Sequence, residues 1–505
     1  MLAKGWSPWC RVLKGPMLLA LAACALPALC NVQKALDEYV FSFDPHYSYT
    51  ILDNLTYRNN NSTVFFLNMT SQKWLDETHV DQPIWWHYLS ITVPDKVTPG
   101  LEDTAFMFIN GGKNHQKPPA PSDDFVAFTT LLAVSTGTIA ACISQIPNEP
   151  LKFTSDPFGK ESRVEDEIIA YTWWHFLNNH TDDPKWLLRF PMTKASVRGL
   201  DTIAEFAFKI SGGSWRIKRF TVAGASKRGW TTWTVAAVDK RVISLIPIVM
   251  DELNLVKNLH HHYKSYGGWT FAFKDYYHMN ITRDLDSPQL QQLADEVDPF
   301  SFNKRYMNKS TYIISTGGDE FFVVDNSHYF FSELSGDKYL RIIPNAEHSC
   351  RGHWLSIFFS MRAFFLSTAL KQNRPKIFWN RTETDKTAAI YFYTDTKPLT
   401  IQAYHAKTLD YKRRDFRLFV GKPKNPDQLL FHPVIWLPSK VQKKSFGIYK
   451  KEFEKPKDGW LAFFIQVTYR GPEKSVLEFT TEVHIIPDAF PFPDCTGEKC
   501  YGTLV

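Results

Sequence analysis

The chain has 505 residues, 44% of them apolar and 15% aromatic, and a formal net charge of +6. That length exceeds one ordinary domain and that composition supports a large buried core, which excludes a disordered chain. The positive excess is too mild to predict a nucleic-acid partner.

Residues 1–30 differ in character from the rest. Lys4, Arg11 and Lys14 precede an apolar run over 16–30 with small residues near Ala28, the pattern of a cleavable signal peptide. Removing this leader takes away three basic and no acidic residues, so the charge falls from +6 to +3. The run is short for a bilayer span and contains Pro27, which favours cleavage over anchoring, and no later stretch predicts a membrane span. Leu21-Ala-Ala-Cys24 offers a rival reading as a bacterial lipoprotein site. Eight N-x-[Ser/Thr] sequons, at Asn54, Asn60, Asn61, Asn68, Asn179, Asn280, Asn308 and Asn380, argue instead for a glycosylated protein on a eukaryotic secretory route. The expected location is extracellular.

Residues 63–68 and 85–93 predict an early antiparallel pair. Apolar strands near 104–110 and 138–146 follow, then helical periods over 161–178 and 194–209. The first of those strands ends in Asn110-Gly111-Gly112. Backbone N–H groups of such a glycine turn can stabilise a developing oxygen charge, so Asn110, Gly111 and Gly112 are candidate oxyanion-hole donors, with the Lys227 amide as the candidate second donor.

The most informative stretch is Arg219-Phe-Thr-Val-Ala-Gly-Ala-Ser-Lys-Arg-Gly-Trp230. A strand here ends in a glycine-flanked serine and opens a helix over 227–238. Such a turn pushes the hydroxyl above the sheet, and Gly224 and Gly229 remove side chains that would clash at the bend. Ser226 is therefore the candidate nucleophile, although the spacing is G-x-S-x-x-G rather than G-x-S-x-G. The Lys227 and Arg228 side chains have three readings: oxyanion support, attraction of an anionic substrate, or plain solvation.

After a strand over 242–249, residues 251–309 form an aromatic- and histidine-rich insertion, expected as a cap over the site. Adjacent His260, His261 and His262 point in different directions on a helix and predict no metal. The strand at 310–316 precedes Gly317-Gly318-Asp319, and the strand at 338–344 precedes Asn345-Ala-Glu-His348. The order serine, acid, histidine is that of α/β-hydrolases, so Asp319 is the candidate orienting acid and His348 the candidate base. Glu320 competes for the acid role, and His328 and His353 for that of base.

A helix over 354–370 closes the hydrolase region of 31–373, with Arg374-Pro-Lys376 as a linker. Beyond it the apolar period becomes two, with about seven short strands over 376–487. The predicted fold class is thus α/β: an α/β-hydrolase sheet with helices on both faces and a cap insertion, followed by a C-terminal all-β immunoglobulin-like sandwich. In the tail, 488–505, Cys495 and Cys500 predict a small disulfide loop in an otherwise free segment, with zinc the weaker reading. Cys142 reads as a buried thiol, and Cys350 pairs with it only if the fold brings them together.

Several longer words extend the pattern: Ala35-Leu-Asp-Glu-Tyr-Val40, Pro83-Ile-Trp-Trp-His87, Ile146-Pro-Asn148, Glu165-Asp-Glu-Ile168, Pro191-Met-Thr-Lys194, Gly318-Asp-Glu-Phe-Phe322 and Pro344-Asn-Ala-Glu-His348. With the elbow, they resemble the PhoPQ-activated pathogenicity-related protein family, whose eukaryotic relatives include autocrine proliferation repressor-like proteins. The resemblance covers roughly 33–350. It implies an α/β-hydrolase fold and the assignment of Ser226, Asp319 and His348, and it implies no substrate. The G-x-S-[Lys or Arg]-x-G elbow also resembles glucuronoyl esterases and some secreted tripeptidyl aminopeptidases.

Two functions follow as expectations. The first is a secreted serine hydrolase cleaving an ester or peptide bond of a small-molecule or peptide substrate through an acyl-enzyme. The second is a secreted autocrine signal that uses the hydrolase scaffold to bind a cell-surface receptor. Neither reading calls for a cofactor or a metal.

Overall fold

The computed structural model describes residues 35–178, 180–423 and 425–505. The expected signal peptide and the Asn179 sequon lie outside the described residues.

Beside the two-residue strand Tyr57–Arg58, which pairs with β2 alone, nine strands form the main path of the hydrolase sheet: β1 (Ser48–Ile51), β2 (Ser62–Lys73), β3 (Ile84–Pro94), β4 (Thr104–Ile109), β5 (Ile139–Ile143), β6 (Arg219–Ala225), β7 (Val242–Ile248), β8 (Ser310–Thr316) and β9 (Asp337–Ile343). Their spatial order is β1-β2-β3-β5-β4-β6-β7-β8-β9. The first three pair antiparallel, and β3 pairs antiparallel with β5. From β5 onward every pair is parallel. Parallel strands need crossovers, and helices supply them on both faces. These are α1 (Asp124–Thr136), α2 (Asp166–Leu177), α3 (Arg189–Ile210), α4 (Lys227–Val238) and α8 (Trp354–Ala369), while α5 (Leu255–Tyr266), α6 (Lys274–His278) and α7 (Pro288–Val297) belong to the insertion.

Alternation along β4 shows how two cores form. Met107 and Ile109 pack with Met192 of α3 and Trp233 of α4, whereas Phe106 and Phe108 pack with Phe128 of α1 and Phe364 of α8. Successive side chains of one strand thus serve opposite layers.

The C-terminal strands are β10 (Ile377–Glu383), β11 (Thr387–Thr394), β12 (Thr400–Lys407), β13 (Phe419–Lys422), β14 (Asn425–Phe431), β15 (Leu437–Ser439), β16 (Gln442–Ser445), β17 (Ile448–Glu454), β18 (Leu461–Arg470), β19 (Val476–Thr480) and β20 (His484–Ile486). One antiparallel sheet, β10-β11-β17-β16, faces a second, β19-β18-β12-β15. Ile390 and Phe392 of the first share a core with Phe463 and Ile465 of the second, which is the expected sandwich. The second sheet is not separate, however: it continues the hydrolase sheet through the pair Leu340↔Thr480. Nor is the expected linker loose, because Arg374 ion-pairs with Asp337 and stacks on Phe364.

The tail departs from expectation. Cys495 and Cys500 are disulfide-bonded, but the segment is not free. Trp269 of the insertion donates from its amide to Thr503 O (2.8 Å) and from its indole to Cys500 O (2.9 Å), and its carbonyl accepts from the Val505 amide (2.8 Å). A tryptophan with unsatisfied backbone groups provides the edge on which the tail docks. Cys142 and Cys350 are both buried and unpaired with each other. The seven described sequon asparagines are all exposed. No helix among the described residues is long and apolar enough to cross a membrane.

Candidate active site

Ser226 stands between β6 and α4 with φ 56° and ψ −126°, a conformation that costs a non-glycine residue energy and is held by its surroundings. Its amide donates to Ile248 O at 2.9 Å and its carbonyl accepts from Trp230 at 3.0 Å. The flanking glycines are required sterically. A Cβ on Gly224 would lie 2.7 Å from Arg228 O, and one on Gly229 would lie 2.9 Å from Met250 Cβ.

The loops after β8 and β9 bring the other two side chains to this turn. The imidazole Nε2 of His348 is 2.8 Å from Ser226 Oγ, and its Nδ1 is 2.9 Å from each carboxylate oxygen of Asp319. A carboxylate only accepts, so Nδ1 carries the proton and Nε2 is free to accept from the serine hydroxyl. Asp319 also receives the Phe321 and Phe322 amides at 2.8 and 3.1 Å and the Thr316 hydroxyl at 3.2 Å. Burial alone would push the His348 pKa down. The Asp319 charge and hydrogen bond outweigh it and hold the imidazole above its ordinary value.

The competing residues have other partners. Glu320 accepts the His348 amide at 2.9 Å, so it fixes the backbone of the base rather than its ring. Burial, reinforced by Asp319, pushes Glu320 up to about 7. His328 bonds to Val483 O, and His353 sits at the N-terminus of α8. The sandwich buttresses both loops: Trp436 donates from its indole to Gly317 O at 3.0 Å and exchanges hydrogen bonds with the Asn345 side chain. The three adjacent histidines diverge, His260 to Asp286 and Asp494, His261 to Asp325, and His262 to the Thr270 amide.

Of the four residues expected around an oxyanion, one is excluded. The Asn110 amide donates to Ile143 O at 2.8 Å and is spent on the sheet edge. The Gly111, Gly112 and Lys227 amides have no acceptor among the described residues, and Lys227 heads α4, where an orphan N–H is normal. The Lys227 side chain does not face solvent. Its Nζ lies 2.6 Å from Glu165 and 2.9 Å from Asp166, and Arg228 grips Glu165 with both terminal nitrogens at 2.8 Å. A Cβ on Gly111 would press on the Arg228 guanidinium at 2.6 Å, so a larger residue there would displace that side chain from its grip on Glu165.

Above Ser226 lies a cavity of about 60 Å³, walled by Trp173, Trp230, Trp269, Phe273, Phe321 and other apolar groups. Much of that wall comes from the 251–309 insertion, which therefore covers the serine. Two charged residues that the sequence did not single out also line it. Arg189 opens α3, and Glu252 follows β7. Glu252 accepts from the Asn326 side chain with one oxygen while the other has no partner among the described residues, and burial followed by Asp251 pushes its pKa well up. Neither sits in a motif with recognisable spacing, and only their burial as charged residues marks them.

The model of the PhoPQ-activated pathogenicity-related protein family matches residues 36–417. Autocrine proliferation repressor protein A of Dictyostelium discoideum is 37% identical over 480 residues, covering 92% of this chain and 93% of that one. Among solved structures, acetyl xylan esterase 1 from Thermoanaerobacterium sp. JW/SL YS485 aligns with a TM-score of 0.43 at 13% identity, over 67% of this chain and 93% of that one. S-formylglutathione hydrolase from Agrobacterium tumefaciens aligns with a TM-score of 0.36 at 12% identity, over 64% and 100%. The chain belongs to the PhoPQ-activated pathogenicity-related protein family.

Proposed function

We propose that this protein is a secreted, glycosylated serine hydrolase that cleaves an ester or peptide bond through Ser226. The observation that carries the reading is the unbroken row Asp319, His348 Nδ1, His348 Nε2, Ser226 Oγ at 2.9 and 2.8 Å, opening on a covered apolar cavity. Ser226 Oγ attacks the substrate carbonyl while His348 takes its proton. The tetrahedral oxyanion is met by the Lys227 amide and an amide of Gly111 or Gly112. His348 then protonates the leaving group, and the C–O or C–N bond breaks to leave an acyl-serine. Water, deprotonated by the same imidazole, releases the acid and restores the hydroxyl. Asp319 holds the ring in the required tautomer and stabilises the imidazolium.

Export rests on the charge-then-apolar pattern of residues 1–30, and the exposure of the seven described sequons is compatible with glycans. A fluorophosphonate probe tests the chemistry. Wild-type protein is expected to label and Ser226→Ala to remain unlabelled, and equal labelling of both removes the hydrolase reading.

The relative named as an autocrine proliferation repressor, similar over 92% of this chain, favours a second reading in which the secreted scaffold signals through a cell-surface receptor. Ser226→Ala separates the two in a proliferation assay. Retained repression assigns signalling to the surface alone, and lost repression ties it to the chemistry.

A further inference from the structure

Five arginines of the described chain are at most 4% exposed: Arg163, Arg189, Arg341, Arg414 and Arg417. Four have a carboxylate against the guanidinium, namely Asp156 (2.7 Å), Glu478 (3.1 Å), Asp325 (2.7 Å) and Asp415 (2.6 Å). Arg189 has none within 4.0 Å among the described residues, and it is the one that lines the cavity over Ser226. Its guanidinium is nonetheless held in place. Nη1 donates to Lys227 O at 2.6 Å and to Thr231 Oγ1 at 3.1 Å, and the plane stacks 4.6 Å from the Trp230 ring.

The neighbouring acids are already engaged. Asp166 gives one oxygen to Lys227 (2.9 Å) and the other to the Tyr276 hydroxyl (3.1 Å), and Glu165 is shared by Lys227 and Arg228. Lys227 and Arg228 thus take up Glu165 and Asp166, and Arg189 is left with no carboxylate of its own in an apolar, weakly screened space. A buried cation without a partner is destabilising, and it binds an incoming anion more strongly than a paired one does. Glu252 does not oppose this, since burial favours its uncharged form. Burial lowers Arg189 to about 9, so it stays charged at neutral pH.

Building on the hydrolase reading, we propose that Arg189 is an anion subsite and that the substrates are short carboxylate-bearing esters. The guanidinium bonds the carbonyl of the residue after the nucleophile, so a bound carboxylate lies within a short acyl chain of Ser226. The cavity of about 60 Å³ has room for about four to six water-sized groups, the scale of a succinyl chain.

The test compares monoethyl succinate with ethyl pentanoate, following ethanol release by the full chain, together with calorimetric titration of succinate. Wild type is expected to favour the charged ester at least about tenfold in kcat/KM, with KM carrying most of the difference. Arg189→Met should bring that ratio near unity, and Arg189→Lys should keep part of it, which a folding defect would not do. Ser226-dependent hydrolysis of both esters without discrimination, or a preference that survives Arg189→Met, overturns the subsite and leaves the hydrolase reading intact. If neither ester is cleaved and Ser226 takes no fluorophosphonate, but succinate binds wild type and not Arg189→Met, the hydrolase reading fails and the subsite stands. Absence of both cleavage and binding overturns the subsite.

Discussion

Asp319 presents both carboxylate oxygens to His348 Nδ1, each at 2.9 Å, while the adjacent Glu320 reaches only the His348 amide. The two acids are therefore distinguishable by mutation. Asp319→Asn offers an amide that stabilises the wrong tautomer and no longer balances the imidazolium, so kcat should fall about 10⁴-fold. Glu320→Gln keeps an acceptor for the amide, and its activity should stay within about tenfold of wild type. Ester turnover and the rate of fluorophosphonate labelling both report this. Equal losses in the two variants would remove the assignment of Asp319.

The pH dependence follows from His348, which must be neutral to act as base. Burial favours the neutral ring, but Asp319 and then Glu320 overcome it and the pKa is raised. The acid limb of kcat/KM should thus have its midpoint above the ordinary value of about 6.5, and in Asp319→Asn it should move below it. The linked stability runs the other way with pH. The raised imidazole stabilises the fold below the unfolded value, and that contribution is lost as pH rises through the folded one. Glu320 and Asp251, each pushed up to about 7, titrate in the same window, so the limb is a property of the cluster. A midpoint at or below 6 would contradict this account.

The meeting of Ser226, Asp319 and His348 was legible because each follows a strand whose apolar run is unmistakable: β6, β8 and β9 begin and end within a residue or so of expectation. Sequence reading marks no element between 112 and 138, where α1 lies. That helix is apolar nearly all round, with Leu131 and Val134 exposed beside buried Phe128 and Leu132, so it has no amphipathic stripe to detect. Strands β10 and β14 escaped for the opposite reason, being largely exposed. Arg189 and Glu252 lie far from Ser226 in sequence, and only the tertiary fold brings them to its cavity. The docking of the tail was equally hidden, because its partners are backbone groups of Trp269, which carry no residue signature.

Glu165 joins the elbow to the rest of the site. Burial would raise its pKa, but Arg228 and Lys227 prevail and hold it well below the carboxylate range. Its charge in turn adds to burial in pushing Glu149 up to about 7. Glu165→Gln leaves Lys227, 9% exposed, with Asp166 alone, and Arg228, 11% exposed, without its paired carboxylate. Because Glu165 is 39% exposed, solvent screens part of the loss, and about 1–3 kcal/mol of destabilisation is expected in urea unfolding at pH 7. Since the Glu165 pKa is depressed, this stability is present above the unfolded value and disappears in acid. Wild type and variant should therefore converge as pH falls below about 4. A constant difference across pH would mean that packing, not charge, explains the effect.

The tail makes a prediction of a different kind, because it acts on the cavity wall without touching the triad. Residues 503 and 505 hydrogen-bond the backbone of Trp269, and Val505 O accepts from Arg417 at 3.1 Å. Trp269 in turn stacks on Phe273, 6.2 Å between ring centroids, and both line the space above Ser226. Deleting residues 502–505 removes these supports and exposes one face of the indole. The loss of two or three hydrogen bonds should cost about 1–3 kcal/mol, spent on letting Trp269 and its neighbours move. Because Ser226, His348 and Asp319 keep their own hydrogen bonds, the reaction of the bare nucleophile should change little. Binding should weaken, with KM rising about tenfold and fluorophosphonate labelling remaining near the wild-type rate. A truncated protein whose labelling collapses while its melting temperature is unchanged would show that the tail reaches the triad by a route other than Trp269.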